Sequence, residues 1–163
     1  PSFGSSGIQI VDLDRDGDFD VLYTNGDSLD SHILKPYHAI HWLENRGQFP
    51  FKQHHLANLP GASRALASDL DGDGDLDIVA TSFLPETLLH SRPPGSYDTL
   101  IMLEQKEGGI FERFRLENEM RGHLTLELAD IDGDQDIDIA VGNHGAPSSK
   151  DPVSLTIWHN QSR

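Results

Sequence analysis

Aspartate recurs at every second position in three nine-residue segments of this 163-residue chain. In the clearest segment, Asp69–Asp77 (DLDGDGDLD), five carboxylates lie within nine residues, with glycine at two of the positions between them. Two like charges about 4 Å apart repel by roughly 4 kcal/mol at an effective dielectric near 20. Such a segment therefore either stays open and solvated or gathers its carboxylates around a cation.

The spacing of the carboxylates suits a hard cation that is held by oxygen atoms. Positions 1, 3, 5 and 9 of the segment can turn their carboxylates inward, and position 7 can offer its backbone carbonyl. Gly74 at position 6 permits the sharp turn within the segment. Together these positions match the first part of the calcium-binding loop pattern. Calcium is favoured over magnesium because it takes about six to eight oxygen ligands, whereas magnesium keeps several waters.

The same segment occurs again at Asp12–Asp20 and at Asp130–Asp138, so that the three starts lie 57 and 61 residues apart. Three copies in one register favour metal loops over solvated acidic turns. We predict three calcium sites, with position 7 (Asp18, Asp75 and Asp136) binding through its carbonyl. The predicted ligand residues are Asp12, Asp14, Asp16, Asp18 and Asp20; Asp69, Asp71, Asp73, Asp75 and Asp77; and Asp130, Asp132, Asp134, Asp136 and Asp138.

Each loop lies between two runs of β-type sequence, which distinguishes it from an EF-hand. An EF-hand needs a Glu at position 12 on a following helix, and position 12 here is Tyr23, Ala80 or Val141. The repeat predicts four short antiparallel strands in each unit, with the last unit ending after its third strand. These strands are Gly7–Val11, Val21–Thr24, Ala39–Glu44 and Phe49–Leu56; Ser63–Ser68, Ile78–Ser82, Thr99–Glu104 and Ile110–Leu116; and His123–Ala129, Ile139–Val141 and Ser154–His159.

The ends of the third strands align the units further along the chain. Trp42-Leu43-Glu44-Asn45 in the first unit is matched with Trp158-His159-Asn160-Gln161 in the third. We therefore expect Trp42 and Trp158 to occupy equivalent positions and to pack between units, as large aromatic side chains commonly do.

The loops resemble the D-x-D-x-D-G-x-x-D loops of the FG-GAP/VCBS repeat β-propellers, a family that includes the integrin α-subunit head. In that family the loop joins the first two strands of a blade and binds calcium. The third loop departs from the pattern because Gln135 stands where the family has glycine. A non-glycine residue in a left-handed turn costs roughly 1–2 kcal/mol, so we expect this loop to be strained or to bind more weakly.

Other segments narrow the resemblance to VCBS-repeat proteins of environmental bacteria such as Planctomycetes. These segments are Asn25-Gly26-Asp27, Leu34–His38, Trp42–Asn45 and Ala140–His144. Some proteins of that branch also carry a c-type cytochrome domain, so the resemblance implies a cytochrome or another redox protein as one possible partner.

The predicted fold is all-β, with propeller blades of four antiparallel strands. The repeats span approximately residues 1–58, 59–118 and 119–163, and the last blade is incomplete. Three blades cannot close a ring, so we expect about three blades of a larger, seven-bladed propeller. The missing strand would come from sequence outside this segment, from another chain or from a second copy.

The charge of the chain limits its partners. Its formal net charge is −15, with 27 acidic residues against 12 basic ones, which argues against nucleic acid and anionic membranes as partners. No signal peptide and no apolar run of membrane-spanning length is visible, so no membrane insertion is expected. The absence of cysteine excludes disulfides, thiolate metal sites and covalent haem attachment.

The order of the strands predicts two functionally different ends of the sheets. The metal loops are first connections, and the long loops 25–38, 83–98 and 143–153 are second connections that lie at the opposite end. Long irregular loops on a rigid scaffold commonly carry binding residues. The side chains in these loops can equally serve only to fix the conformation of the loop itself. The candidate partner-binding residues are Lys35, Tyr37, His38, Arg92, Tyr97 and His144.

These observations predict a calcium-binding, non-catalytic module for protein–protein binding or assembly. A loop saturated with carboxylates lacks the open position of a catalytic metal. Loops of extracellular modules bind calcium at about 10⁻⁴–10⁻³ M, so we expect an extracellular or periplasmic location. The alternatives are a scaffold portion or subunit of an extracytoplasmic, cytochrome-associated enzyme complex, and an adhesin. The partner is a protein or the remaining blades.

Overall fold

The described residues form eleven strands in three antiparallel sheets, which confirms the all-β prediction. A computed structural model describes residues 4–26, 28, 33–84, 97–118, 122–144 and 154–161. The first sheet contains β1 (Gly7–Val11), β2 (Asp20–Thr24), β3 (Ala39–Glu44) and β4 (Lys52–Asn58). The second contains β5 (Ala62–Ser68), β6 (Asp77–Ser82), β7 (Leu100–Lys106) and β8 (Ile110–Glu117). The third contains β9 (Gly122–Ala129), β10 (Asp138–His144) and β11 (Leu155–Trp158).

Within each sheet the strands pair in the order in which they occur in the chain, as in a propeller blade. β4 begins at Lys52, three residues after the predicted start at Phe49. Pro50 has no backbone N–H to donate to the ladder, so the paired strand starts after it. No closed ring forms among the described strands, and within that part of the chain no helix is long and apolar enough to span a membrane.

The first strands of the three sheets stand side by side, with β5 contacting both β1 and β9. One apolar core lies between the first two sheets, where Leu22 and Ile40 pack with Ala65, Ile78 and Leu103. A second core lies between the second and third sheets and includes Val79, Leu126 and Val141. The three sheets therefore stack face to face in order, as consecutive propeller blades do.

Gly26 allows the connection after β2 to lie directly against the next sheet. Its backbone N–H donates to the Ala62 carbonyl at 3.0 Å. A Cβ atom at this position would lie 2.1 Å from that same oxygen, so no other residue fits without a backbone shift.

The strand register corrects one alignment made from the sequence. Val21 and Ile139, each the first residue after its loop, pair with Leu43 and Trp158 respectively. Trp158 is therefore equivalent to Leu43, and Ile157 is equivalent to Trp42. The expected equivalence of the two tryptophans was wrong by one residue, and a slip of one residue reverses the face to which a strand side chain points.

The two tryptophans differ in their surroundings as a result. Trp42 is 8% exposed and stacks on His54 with ring centroids 4.3 Å apart. Trp158 is 37% exposed and lines an apolar cleft between the second and third sheets, together with Phe114 and Leu116. Of the two, only Trp42 is buried in an apolar core.

Candidate metal-binding loops

Each aspartate loop closes a hairpin between the first and second strands of its sheet. The hairpins end on the pairs Val11–Asp20, Ser68–Asp77 and Ala129–Asp138. Position 9 is thus the first residue of the second strand and is held by the sheet itself. The three loops lie at the same end of their sheets, as the sequence predicts.

The position 9 aspartates are buried, and each ties its loop to the end of the third strand. Asp20, Asp77 and Asp138 are 0%, 2% and 0% exposed. In each, Oδ2 accepts the N–H of loop position 2, from Leu13 at 3.1 Å, Leu70 at 3.2 Å and Ile131 at 2.9 Å. Oδ1 accepts an N–H near the end of the third strand: from Asn45 at 2.7 Å and Asn160 at 2.9 Å, which follow β3 and β11, and from Gln105 at 2.9 Å, which lies within β7. Sequence reasoning assigned these residues to metal alone and missed their bonds to the end of the third strand.

The remaining loop aspartates fold each loop in the same way. Position 1 accepts the N–H of position 6, from Gly17 at 3.0 Å, Gly74 at 3.1 Å and Gln135 at 3.1 Å. Position 3 accepts the N–H of position 5 at 3.4, 3.1 and 3.2 Å. Position 5 accepts the N–H of position 7 at 2.8, 2.8 and 3.0 Å. The alternating aspartates therefore determine the loop backbone as well as its charge.

The left-handed positions of the loops are 4 and 6. Gln135 at position 6 has φ 79°, which confirms that it occupies a conformation where glycine is preferred. Arg15 at position 4 of the first loop has φ 57°, a second departure that sequence reasoning did not notice. Only the second loop has glycine at both positions, Gly72 and Gly74.

Side-chain oxygens converge in all three loops. Among the described residues, each loop has one cluster of three aspartates whose carboxylate oxygens lie within 4.8 Å of one another. These clusters are Asp12, Asp14 and Asp20; Asp69, Asp71 and Asp73; and Asp130, Asp132 and Asp134. The clusters all draw on positions 1, 3, 5 and 9, the four predicted carboxylate positions. The aspartates at position 7 are in none of them, in keeping with a predicted role for the backbone carbonyl there.

The local electrostatics of the loops fit a bound cation. Asp12 Oδ1 is buried and receives no hydrogen bond from the described residues. Burial, with Asp16 and Asp20 nearby, raises the pKa of the Asp14 carboxyl, and burial likewise raises the pKa of Asp77. In the third loop the N–H groups of Asn160 and Ile131 lower the pKa of Asp138. A divalent ion would stabilise the ionised form of the crowded carboxylates.

A histidine enters the third loop, and sequence reasoning missed it. His159 Nδ1 lies 3.3 Å from Asp132 Oδ2 and 3.5 Å from Asp138 Oδ2. His159 stands immediately before Asn160, whose N–H bonds to Asp138, just as Glu44 and Glu104 stand before Asn45 and Gln105. The matching of Trp158 with Trp42 hid this equivalence, whereas an alignment on Asn45 and Asn160 would have revealed it.

The equivalent glutamates in the first two sheets are held by basic residues. Arg46 donates to both Glu44 oxygens, at 2.6 and 2.9 Å, and His54 Nε2 lies 2.6 Å from Oε2. The hydrogen bonds from Arg46 and His54 lower the pKa of Glu44 to about 2. Lys106 pairs with Glu104 in the second sheet, and the third sheet has Gln161 at the corresponding position.

Those candidate partner-binding residues that the structure describes lie at the opposite end of the sheets from the metal loops. Lys35 Nζ lies 5.8 Å from the centre of the Tyr37 ring, and Tyr37 is 36% exposed. His38 is only 1% exposed, and its Nδ1 accepts the Gly61 N–H at 3.0 Å. The His38 side chain therefore supports the connection between the sheets and presents almost no surface to a partner.

The other candidates are more dispersed. His144 is exposed, and its ring meets the Phe83 ring edge-on with centroids 5.6 Å apart. Tyr97 is half-buried at the start of the segment that leads into β7. Arg92 lies outside the described residues. Binding of a partner by these residues stays a prediction.

A family model matches the part of the chain that contains the first two loops. The match covers residues 12–80, from the first aspartate of the first loop into β6. Residues 12–80 form an FG-GAP-like repeat. This confirms the resemblance drawn from the loops, while the narrower likeness to bacterial VCBS proteins stays a prediction. No curated protein matches the chain.

Proposed function

We propose that this chain, built around its FG-GAP-like repeat, is a calcium-stabilised, non-catalytic β-propeller module. Its role is protein binding or assembly outside the cytoplasm. The observation that carries the proposal is the recurrence of one loop geometry in all three sheets. In each sheet it brings three carboxylates within 4.8 Å of one another.

The donor set suits calcium in particular. Each loop offers carboxylates at positions 1, 3, 5 and 9 and the carbonyl of position 7, which together supply the oxygen-rich shell that calcium prefers. A bound ion supplies the positive charge that offsets the mutual repulsion of these carboxylates. Because it binds the folded loop and not the unfolded chain, it stabilises the fold by mass action.

A non-catalytic role is supported by what the carboxylates already do. Both oxygens of Asp20, Asp77 and Asp138 accept backbone N–H groups, so these side chains are fixed in place at the end of the sheet. A fixed, hydrogen-bonded carboxylate is suited to holding an ion and poorly suited to transferring protons. The FG-GAP-like repeat family, whose model matches residues 12–80, is typically non-catalytic.

The location follows from the expected affinity. Loops of this kind in extracellular modules bind calcium at about 10⁻⁴–10⁻³ M. Such loops fill only where calcium is plentiful, which is the condition outside the cytoplasm. The partner, a protein or further blades, would meet the end that carries Lys35, Tyr37 and His144, because the metal loops occupy the other end.

Thermal unfolding with and without calcium tests the proposal. At a free calcium concentration of about 100 times Kd, one site adds about 2.7 kcal/mol of stability. For a chain of this length each kcal/mol raises the Tm by about 2–4 °C, so three sites should raise it by roughly 15 °C or more. Magnesium at the same concentration should raise it much less.

A matched pair of variants assigns the effect to the loops. Asp71→Asn removes one negative charge from the second loop, and Glu127→Gln removes one from an exposed side chain on β9. We expect the calcium-dependent rise in Tm to shrink in the first variant and to stay unchanged in the second. Equal behaviour of the two variants would contradict the assignment of calcium to the loops.

A further inference from the structure

The third loop differs chemically from the first two at one neighbouring position. His159 occupies the place that Glu44 and Glu104 occupy beside the other loops, because each of these residues directly precedes the N–H that bonds to the position 9 aspartate. The third sheet therefore has imidazole nitrogens at the position where the first two sheets have carboxylate oxygens. No other loop cluster among the described residues contains a nitrogen donor.

The imidazole is directed at the loop aspartates. Its Nδ1 lies 3.3 Å from Asp132 Oδ2 and 3.5 Å from Asp138 Oδ2, and the three donor atoms form a cluster within 4.8 Å. Adjacent ligands around a metal with bonds of about 2.2 Å lie roughly 3.1 Å apart when they subtend a right angle. The three atoms are thus close to the separations that neighbouring ligands of one ion adopt.

The glutamates of the first two sheets do not join their loops in this way. Arg46 holds both oxygens of Glu44, and Lys106 pairs with Glu104. Gln161 replaces these basic residues in the third sheet, so no Lys or Arg occupies that position there. Two substitutions together, His for Glu and Gln for Arg or Lys, distinguish the third loop from its counterparts.

Nitrogen donors change which cation a site prefers. Oxygen-only sites suit calcium and magnesium, whereas imidazole suits first-row divalent ions, whose affinities rise along the series from manganese to copper. We propose that the third loop binds a first-row divalent cation, with His159 Nδ1 as a ligand beside Asp132 and Asp138, more tightly than it binds calcium. This inference rests on the proposed function, because both assume that the aspartate loops bind metal ions.

The test is a titration of cobalt(II) chloride into protein saturated with calcium. We expect wild-type protein to bind one Co²⁺ that excess calcium does not displace. His159→Glu restores the residue type of the first two sheets and should weaken Co²⁺ binding by roughly tenfold or more, since even loss of a residue that supports a metal ligand costs about 10–100-fold. Calcium binding to the first two loops should be unchanged in this variant.

A spectroscopic signature identifies the nitrogen ligand. A histidine bound to Co²⁺ shows an imidazole N–H proton resonance far outside the range of diamagnetic protein signals. This resonance should be present in wild-type protein and absent from both His159→Glu and His159→Asn. A merely structural role for His159 would not produce it.

His55→Gln is the matched control. His55 is exposed, and its ring centroid lies 5.3 Å from that of His41, so this pair on the first sheet could also attract Co²⁺. The control should leave both the affinity and the shifted resonance unchanged. Loss of the signal in His55→Gln, or a Co²⁺ affinity that His159→Glu changes by less than twofold, would overturn the proposal.

The same samples separate this inference from the proposed function. If calcium raises the Tm but His159→Glu leaves Co²⁺ binding unchanged, the inference is wrong and the calcium module stands. If Co²⁺ binds through His159 but calcium leaves the Tm unchanged, the proposed calcium stabilisation is wrong and the inference stands. If neither ion binds, both are wrong.

Discussion

The second and third loops have the same backbone hydrogen bonds and different surroundings. In both, position 1 accepts the N–H groups of positions 4 and 6, and position 9 ties the loop to a backbone N–H near the end of the third strand. The loops differ at Gly74 against Gln135 and at Glu104 against His159. The comparison teaches that the shared aspartates accept the same backbone hydrogen bonds in both loops, whereas the residues around them differ in backbone strain and in the side-chain atoms that they place beside the loop.

The largest expected effect comes from the hydrogen bonds that the two loops share. Asp77→Ala removes a carboxylate that is 2% exposed and leaves the N–H groups of Leu70 and Gln105 without their acceptor. Each buried donor without an acceptor costs about 1–3 kcal/mol, so we expect a loss of about 3 kcal/mol. Urea unfolding in the absence of calcium measures it. A loss below about 1 kcal/mol would show that the carboxylate serves the metal alone.

A reciprocal exchange at position 6 sharpens the comparison of strain. Gln135→Gly should stabilise the third loop, and Gly74→Gln should destabilise the second, each by roughly 1–2 kcal/mol, because both positions require a left-handed backbone. A Cβ at Gly74 would meet no atom within 4 Å, so the cost there comes from the backbone conformation alone. Chemical unfolding of the two variants checks the signs, and two changes of the same sign would contradict the explanation.

The acid response of Glu44 probes the residue that His159 replaces. The Arg46 hydrogen bonds lower the pKa of Glu44 to about 2, below its usual value near 4.5. A lowered pKa in the folded state contributes stability above the unfolded pKa, and this stability is lost as pH falls from about 5 towards 2. After allowance for solvent screening we expect about 1 kcal/mol.

Glu44→Gln measures that contribution directly. The variant should be less stable than wild-type protein at pH 6 and should differ from it much less at pH 2, when both are followed by urea unfolding without calcium. A constant difference across this range would mean that the Glu44–Arg46 pair contributes nothing dependent on charge. Glu112→Gln, an exposed change on β8, serves as the control.

The smallest expected effect lies at the opposite end of the sheets. Tyr37→Ala removes a ring that is 36% exposed. Tyr37 lies in the connection between β2 and β3, at the end of the sheet opposite the metal loop. The calcium-dependent rise in Tm should change by less than about 1 °C, while binding of a partner at this end would weaken. Equal loss of calcium response and partner binding would contradict the separation of the two ends.

Much of this fold is predictable because its signals are local. The β-type runs on either side of each loop determine the hairpins, so that β1 (Gly7–Val11) and β3 (Ala39–Glu44) have the predicted bounds. The left-handed backbone of Gln135 follows from glycine at position 6 in the other two loops. These features depend on residues within a few positions of one another.

The features that were missed depend on register between distant segments. The bond from the Asn45 N–H to Asp20 joins residues 25 positions apart, and its existence depends on the pairing of β2 with β3. The position of His159 beside the third loop depends on a one-residue shift in the alignment of β11, which a match of tryptophan to tryptophan obscured. Side-chain identity suggested one alignment, and backbone pairing determined another.

The most direct test of the central claim is the amount of calcium that the chain binds after all metal has been stripped from it. Isothermal titration with calcium as the only divalent ion should show about three ions bound per chain, with dissociation constants near 10⁻⁴–10⁻³ M, and the Tm should rise over the same concentration range. Absence of calcium binding, with an unchanged Tm, would contradict the account. The aspartate segments would then be turns held by their own backbone hydrogen bonds.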